Sequence, residues 1–148
     1  HQEPIHYEGE LAFVFENGRF SAVGFGFDLT KRELQSQLKK KSLPWERAKS
    51  FDGSAVFSVF MPIENIDPSL SFTLSINGVI AQQGNLELMI HSPEKILKEI
   101  QSFMRLEDGD IVMTGTPKGV GILESGDMYQ VLIKNDQEIL LEQQWTAQ

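Results

Sequence analysis

Glu8 and Glu10, in the run His6-Tyr7-Glu8-Gly9-Glu10-Leu11, are two carboxylates separated by a single glycine. On an extended strand, residues i and i+2 point to the same face, so the two acids stand side by side. Anions that close repel each other and lose hydration unless a cation sits between them. Asp28, in Gly26-Phe27-Asp28-Leu29-Thr30, supplies a third carboxylate downstream. Oxygen-only ligands suit Mg2+ or Mn2+, with Ca2+ as a further candidate, whereas the absence of cysteine and of any paired-histidine spacing argues against zinc. The ordinary alternative is the solvent face of a half-buried sheet, which also carries acids at alternate positions. The Thr114-Gly115-Thr116-Pro117-Lys118-Gly119 stretch is not a P-loop, because the Gly, four residues, Gly-Lys-Ser/Thr spacing is missing.

The elements that must position these groups are mostly strands. Glu10–Phe15 reads as a buried strand closed by the Asn17-Gly18 turn, with Ser21–Phe27 as its hairpin partner. Gly24 and Gly26 mark a bulge or a close backbone approach in that second strand. Thr30-Lys31-Arg32-Glu33 has the form of a capping box and predicts a helix to about residue 40. Arg32 and Gln35 share one face of it, Leu34 and Leu38 bury the other, and Lys39-Lys40-Lys41 suits its C-terminal end. Further on, residues 55–60 and 71–76 are β-like, and Asn77-Gly78 turns the second into 79–83. Ser92-Pro93 opens a second helix over about 94–103, with Ile96, Leu97 and Ile100 apolar. Strands follow at 111–113, 128–133 and 138–143. The fold class expected is mostly β with two helices (α+β), and no boundary, repeat or low-complexity tract divides residues 1–148.

At 148 residues the chain has the usual size of one domain and can bury a core. Its net charge of −8 and pI near 4.8 oppose a nucleic-acid surface, which needs a basic stripe. No apolar run reaches membrane-span length and nothing resembles a cleavable signal, so the expectation is a soluble, cytoplasmic protein without a membrane partner.

Five ordered blocks carry a resemblance to the fumarylacetoacetate hydrolase family: HYEGEL at 6–11, DLTKRELQ at 28–35, SLPWERAKSFDG at 42–53, INGVIAQQG at 76–84 and GDIVMTGTPKGVG at 109–121.

 The fold expected from it is that family's mixed β-roll, and the expected assembly is a homodimer. It also implies that Glu8, Glu10 and Asp28 are ligands of Mg2+ or Mn2+, that Lys49 is catalytic beside the bound substrate, and that Arg32, Gln35, Gly115 and Thr116 bind substrate. His6 is expected to pack or to hydrogen-bond behind the ligands.

The activity implied is metal-dependent cleavage or isomerisation of a small 2-oxo acid or acylpyruvate through a stabilised enolate, as a C–C hydrolase, oxaloacetate decarboxylase or tautomerase. Full-length relatives carry preceding strands and a lid whose His/Glu pair activates water, and the chain enters the family pattern after that segment. The resemblance therefore supports the enolate half of the chemistry within residues 1–148, while the alternative is a shortened, non-catalytic member that binds metal or a partner.

Overall fold

The computed structural model describes residues 4–148. Three long antiparallel hairpins dominate it, two of them turned at Asn-Gly. The first joins β2 (Gly9–Glu16) to β3 (Arg19–Asp28) through the Asn17-Gly18 turn, where both residues have positive φ. The second joins β6 (Leu70–Ile76) to β7 (Val79–Asn85) through Asn77-Gly78, with the same backbone signature. Asn-Gly tolerates two successive left-handed residues, which the twist of a tight hairpin requires.

Around the first hairpin, β8 (Ile111–Met113) pairs with β2, while β4 (Ala55–Phe57) and β5 (Met61–Pro62) pair with β3. The second sheet runs β11-β10-β6-β7, extended beyond β6 by β10 (Met128–Asn135) and, at the edge, β11 (Glu138–Thr146). A small pair, β1 (His6–Tyr7) with β9 (Gly121–Ile122), closes one end.

The core lies between the two large sheets. Phe13, Val23 and Phe25 of the first face Leu74, Val131 and Ile133 of the second, all fully buried. Aromatic edges lock the layers together: Phe25 meets Phe72 at 5.2 Å and Phe27 meets Tyr129 at 5.7 Å between ring centroids. Trp145 joins this cluster against Phe27 at 5.3 Å. The mostly β class expected is the one observed, with a third, one-turn α-helix beyond the two expected.

Several local expectations change. Among the described residues three α-helices form: α1 (Arg32–Lys40), the single turn α2 (Glu46–Lys49) and α3 (Pro93–Gln101). The one-turn α2 was not foreseen because four residues are too few to show a helical period. The third helix follows its signals, with the Ser92 side chain accepting from the Lys95 N–H and Pro93 in the first turn. The capping box at Thr30 does not form. Lys31 stands at the N-cap of α1 without a side-chain cap, and Thr30 instead bridges His6 through paired backbone hydrogen bonds of 2.9 Å. Leu34 and Leu38 are only half-buried, and the buried residue of α1 is Gln35.

Of the two readings of Gly24 and Gly26, a bulge or a close backbone approach, the second holds, and the bulge lies elsewhere. The β2–β3 register shifts between Val14 and Phe15, where Val14 faces Ala22 and Phe15 faces Phe20, leaving Ser21 as the extra residue. The two glycines answer to close approach instead: a Cβ on Gly24 would meet Phe60 at 2.8 Å, and one on Gly26 would meet Met113 at 2.9 Å.

Candidate metal centre

Residues directly opposed in an antiparallel pair share a face. Gly9 faces Phe27 and Glu10 faces Gly26, and the next rung is marked by the Asp28 N–H donating to the Glu8 carbonyl at 2.9 Å. Asp28 therefore stands across from Glu8 on the face that also carries Glu10. Gly26, opposite Glu10, adds no side chain there. Had the tight-turn register of Glu16 with Arg19 continued unbroken, Asp28 would fall on the other face, since a slip of one residue reverses every side chain. The extra residue at Ser21 corrects the phase.

One oxygen from each of Glu8, Glu10 and Asp28 lies within 4.8 Å of the others. Oxygens around one octahedral Mg2+ or Mn2+ ion are spaced about 3 to 4 Å apart, so the cup is close to the size such an ion needs. Its all-carboxylate chemistry fits a hard divalent cation. Glu8 and Glu10 are buried, at 9% and 5% exposure, which removes the reading of a solvated acidic face.

The repulsion among these acids is balanced by two cations. Lys49 Nζ, delivered by α2, donates to Glu8 Oε2 at 2.9 Å, Asp28 Oδ2 at 2.5 Å and Thr30 Oγ1 at 2.7 Å. An ammonium has three N–H donors, and here each has an acceptor. This is why Thr30 is not a helix cap: its hydroxyl serves Lys49. Thr30 escaped the sequence reading because the capping-box pattern offered it a local role. Arg32 pairs with Glu8 through Nη2 and reaches Gln35 Oε1 from Nη1 at 3.3 Å. Gln35, 4% exposed, thus orients the guanidinium from behind.

Among the described residues, no cation is in direct contact with Glu10. Burial pushes its pKa up to about 7; the Gly115 N–H, donating to its Oε2 at 2.6 Å, opposes this, while Asp28 and Glu8 add to it and Lys49 subtracts. For Lys49, burial favours the neutral amine, but the hydrogen bonds and charges of Asp28 and Glu8 outweigh it and raise the pKa.

The Thr114–Pro117 loop reaches the centre because β8 runs beside β2 and ends there, the Thr114 N–H donating to the Leu11 carbonyl at 3.2 Å. Gly115 turns its N–H onto Glu10. Thr116 Oγ1 donates to the Gly9 carbonyl at 2.9 Å and accepts from Gln82 Nε2 at 2.9 Å. His6 contributes backbone pairing on both sides, to Thr30 and to Ile122. Gln82, 1% exposed, had no assigned role in the sequence, where nothing in Ala81-Gln82-Gln83-Gly84 separates it from its exposed neighbour Gln83.

Comparison with known proteins identifies the family. The family model described as fumarylacetoacetate (FAA) hydrolase C-terminal matches residues 1–143. The Escherichia coli K12 oxaloacetate tautomerase YcgM is 40% identical over 137 residues, covering 83% of this chain and 63% of that protein. The human mitochondrial oxaloacetate tautomerase FAHD1 is 45% identical over 136 residues, covering 83% of this chain and 62% of that protein. The chain thus spans less than two thirds of the length of these curated relatives. Among solved structures, yeast ynq8, a fumarylacetoacetate hydrolase family protein, superposes with a TM-score of 0.89 at 30% identity, covering 99% of this chain and 68% of that one. The fumarylpyruvate hydrolase of Pseudomonas aeruginosa, solved with Mn2+ and pyruvate, gives a TM-score of 0.84 at 28% identity, covering 99% of this chain and 67% of that one. A family model matched over nearly the whole chain and curated relatives at 40% identity or more show that the chain belongs to the fumarylacetoacetate hydrolase family.

Proposed function

We propose that this protein is a divalent-metal-dependent enzyme that interconverts or cleaves small 2-oxo acids through an enolate, with oxaloacetate tautomerisation as the leading reaction. The observation that carries the reading is the convergence of Glu8, Glu10 and Asp28, with carboxylate oxygens within 4.8 Å of one another. Relatives named oxaloacetate tautomerase support the substrate class, and a neighbour solved with Mn2+ and pyruvate supports the ion and the 2-oxo acid together.

Glu8, Glu10 and Asp28 would hold Mg2+ or Mn2+, which when bound supplies the positive charge that favours enolisation of a 2-oxo acid. The remaining work falls to side chains of this chain. Lys49, whose pKa is raised, is held as an ammonium and serves as a fixed positive charge rather than a base. Arg32, its fork oriented by Gln35, is suited to a substrate carboxylate. Gly115 and Thr116 line the side of the centre next to Glu10, and we assign them contact with the substrate carboxyl end. The working unit we propose is a homodimer, checked by the native mass in solution.

The test is the rate of enol-to-keto conversion of oxaloacetate in Mn2+ and after chelation, with the rate of free Mn2+ subtracted. Saturable turnover that disappears on chelation is the expected result. Turnover equal in chelator and in Mn2+ would remove metal from the reading, and no turnover of oxaloacetate, acetylpyruvate or fumarylpyruvate would remove the substrate class.

A further inference from the structure

β8 pairs with β2 only at Ala12, Phe13 and Val14, and its last backbone bond reaches Leu11. Past that point, among the described residues, the outer edge of β2 has no strand beside it where the carboxylates stand. Buried backbone groups left in that position need other partners. Two side chains supply them. Gln82 Oε1 accepts from the Gly9 N–H at 3.0 Å, and Thr116 Oγ1 donates to the Gly9 carbonyl at 2.9 Å. The amide nitrogen of Gln82 then donates to Thr116 Oγ1 at 2.9 Å and to the Pro117 carbonyl at 3.2 Å.

Gly9 is the residue between Glu8 and Glu10, so a clamp on both ends of its backbone sets the direction of both acids. The same clamp fixes the loop whose Gly115 N–H donates to Glu10. The fit is tight: a Cβ at Gly9 would lie 2.7 Å from Gln82 Oε1, and one at Gly119 would run into the Ala81 carbonyl, so the loop is pressed against β7 at a second point.

We infer that Gln82 is a positioning residue for the carboxylate centre: its buried amide replaces the missing strand beside Gly9 and ties the Thr114–Pro117 loop to it, so that Glu8 and Glu10 are presented in one orientation. The inference rests on the metal reading above for its consequence, though not for its geometry. Hydrogen-bond partners behind metal ligands typically change metal affinity 10- to 100-fold when removed.

The experiment compares Gln82→Met, which keeps length and removes all three hydrogen bonds, with Gln83→Met on the exposed side of the same strand and with Leu141→Val, buried on β11 at the far side of the same sheet. Mn2+ binding is measured by calorimetry on the full chain, and amide exchange at Gly9 and Gly115 is measured without metal. Gln82→Met is expected to bind Mn2+ about tenfold or more weakly and to exchange both amides faster. Gln83→Met is expected to match the unsubstituted chain in both readouts, and Leu141→Val to lower Tm while keeping Mn2+ affinity. Unchanged Mn2+ affinity in Gln82→Met, even with a lower Tm, overturns the inference by reducing Gln82 to ordinary packing. If Gln82→Met does not fold, Thr116→Val opens the clamp from its other end and carries the same expectations. If the unsubstituted chain itself does not bind Mn2+, the metal reading falls, and Gln82 is judged on exchange alone: faster exchange at Gly9 and Gly115 sustains the clamp, and unchanged exchange removes it.

Discussion

Lys49 and Glu10 divide the electrostatics of the centre between them. Lys49 touches two of the three carboxylates, so Lys49→Ala leaves Glu8 to Arg32 and Asp28 without that ammonium. Two effects are expected. Turnover of oxaloacetate should fall about 100-fold, the scale of losing a charge-stabilising donor. The metal-free variant should also lose Tm, and Mn2+ should restore much of it by supplying positive charge to the same acids. Steady-state kinetics and thermal melts with and without Mn2+ check both, and near-normal turnover by the variant would refute the catalytic assignment.

Glu10 gives the site a pH dependence with a definite sign. Its folded pKa of about 7 lies above the ordinary 4.5, so the folded metal-free state holds a proton that the unfolded state releases. The contribution of this group to stability is therefore full below about pH 4.5 and is lost as pH rises through 7, on the order of 3 kcal/mol in all. Mn2+ must displace that proton, so its affinity should rise from pH 6 to pH 8. Calorimetry in buffers of different ionisation enthalpy reads the released proton; affinity that is flat with pH would mean that Glu10 is ionised before metal arrives.

At the level of elements, the bulge in the first hairpin decides which acids meet. Deleting a residue from a central strand ordinarily turns everything beyond it to the other face. Deleting Ser21 removes only the residue without an opposite partner, so Asp28 should stay across from Glu8 and Mn2+ affinity should remain within a few fold, at some cost in Tm. Deleting Val14 adds a second mismatch on the same pair and should turn Glu8 and Glu10 away from Asp28, weakening Mn2+ binding at least tenfold. Equal behaviour of the two deletions would show that the strands readjust freely and that the bulge does not set the phase. The short helix α2 has a comparable role, since its single turn is what carries Lys49 to Glu8 and Asp28.

For the whole molecule, the centre is assembled from β2, β3, α1, α2 and the loop after β8, which are held by a core shared between two sheets. Much of this was legible beforehand because it is local. The Asn-Gly pairs determined both hairpins, Ser92-Pro93 determined the start of α3, and the spacing of Glu8 and Glu10 determined that they share a face. Five ordered blocks determined the family. The tertiary structure alone decided the rest. Whether Asp28 joins Glu8 depends on a bulge that no turn residue announces, because a single extra residue changes the phase of a strand without changing its composition. Thr30 became an acceptor for Lys49 rather than a helix cap because a partly buried ammonium seeks three acceptors, and α2 delivers one there across 19 residues of sequence. Gln82, indistinguishable from Gln83 in the chain, took its role from the place where β8 ends and the edge of β2 is left for side chains to complete.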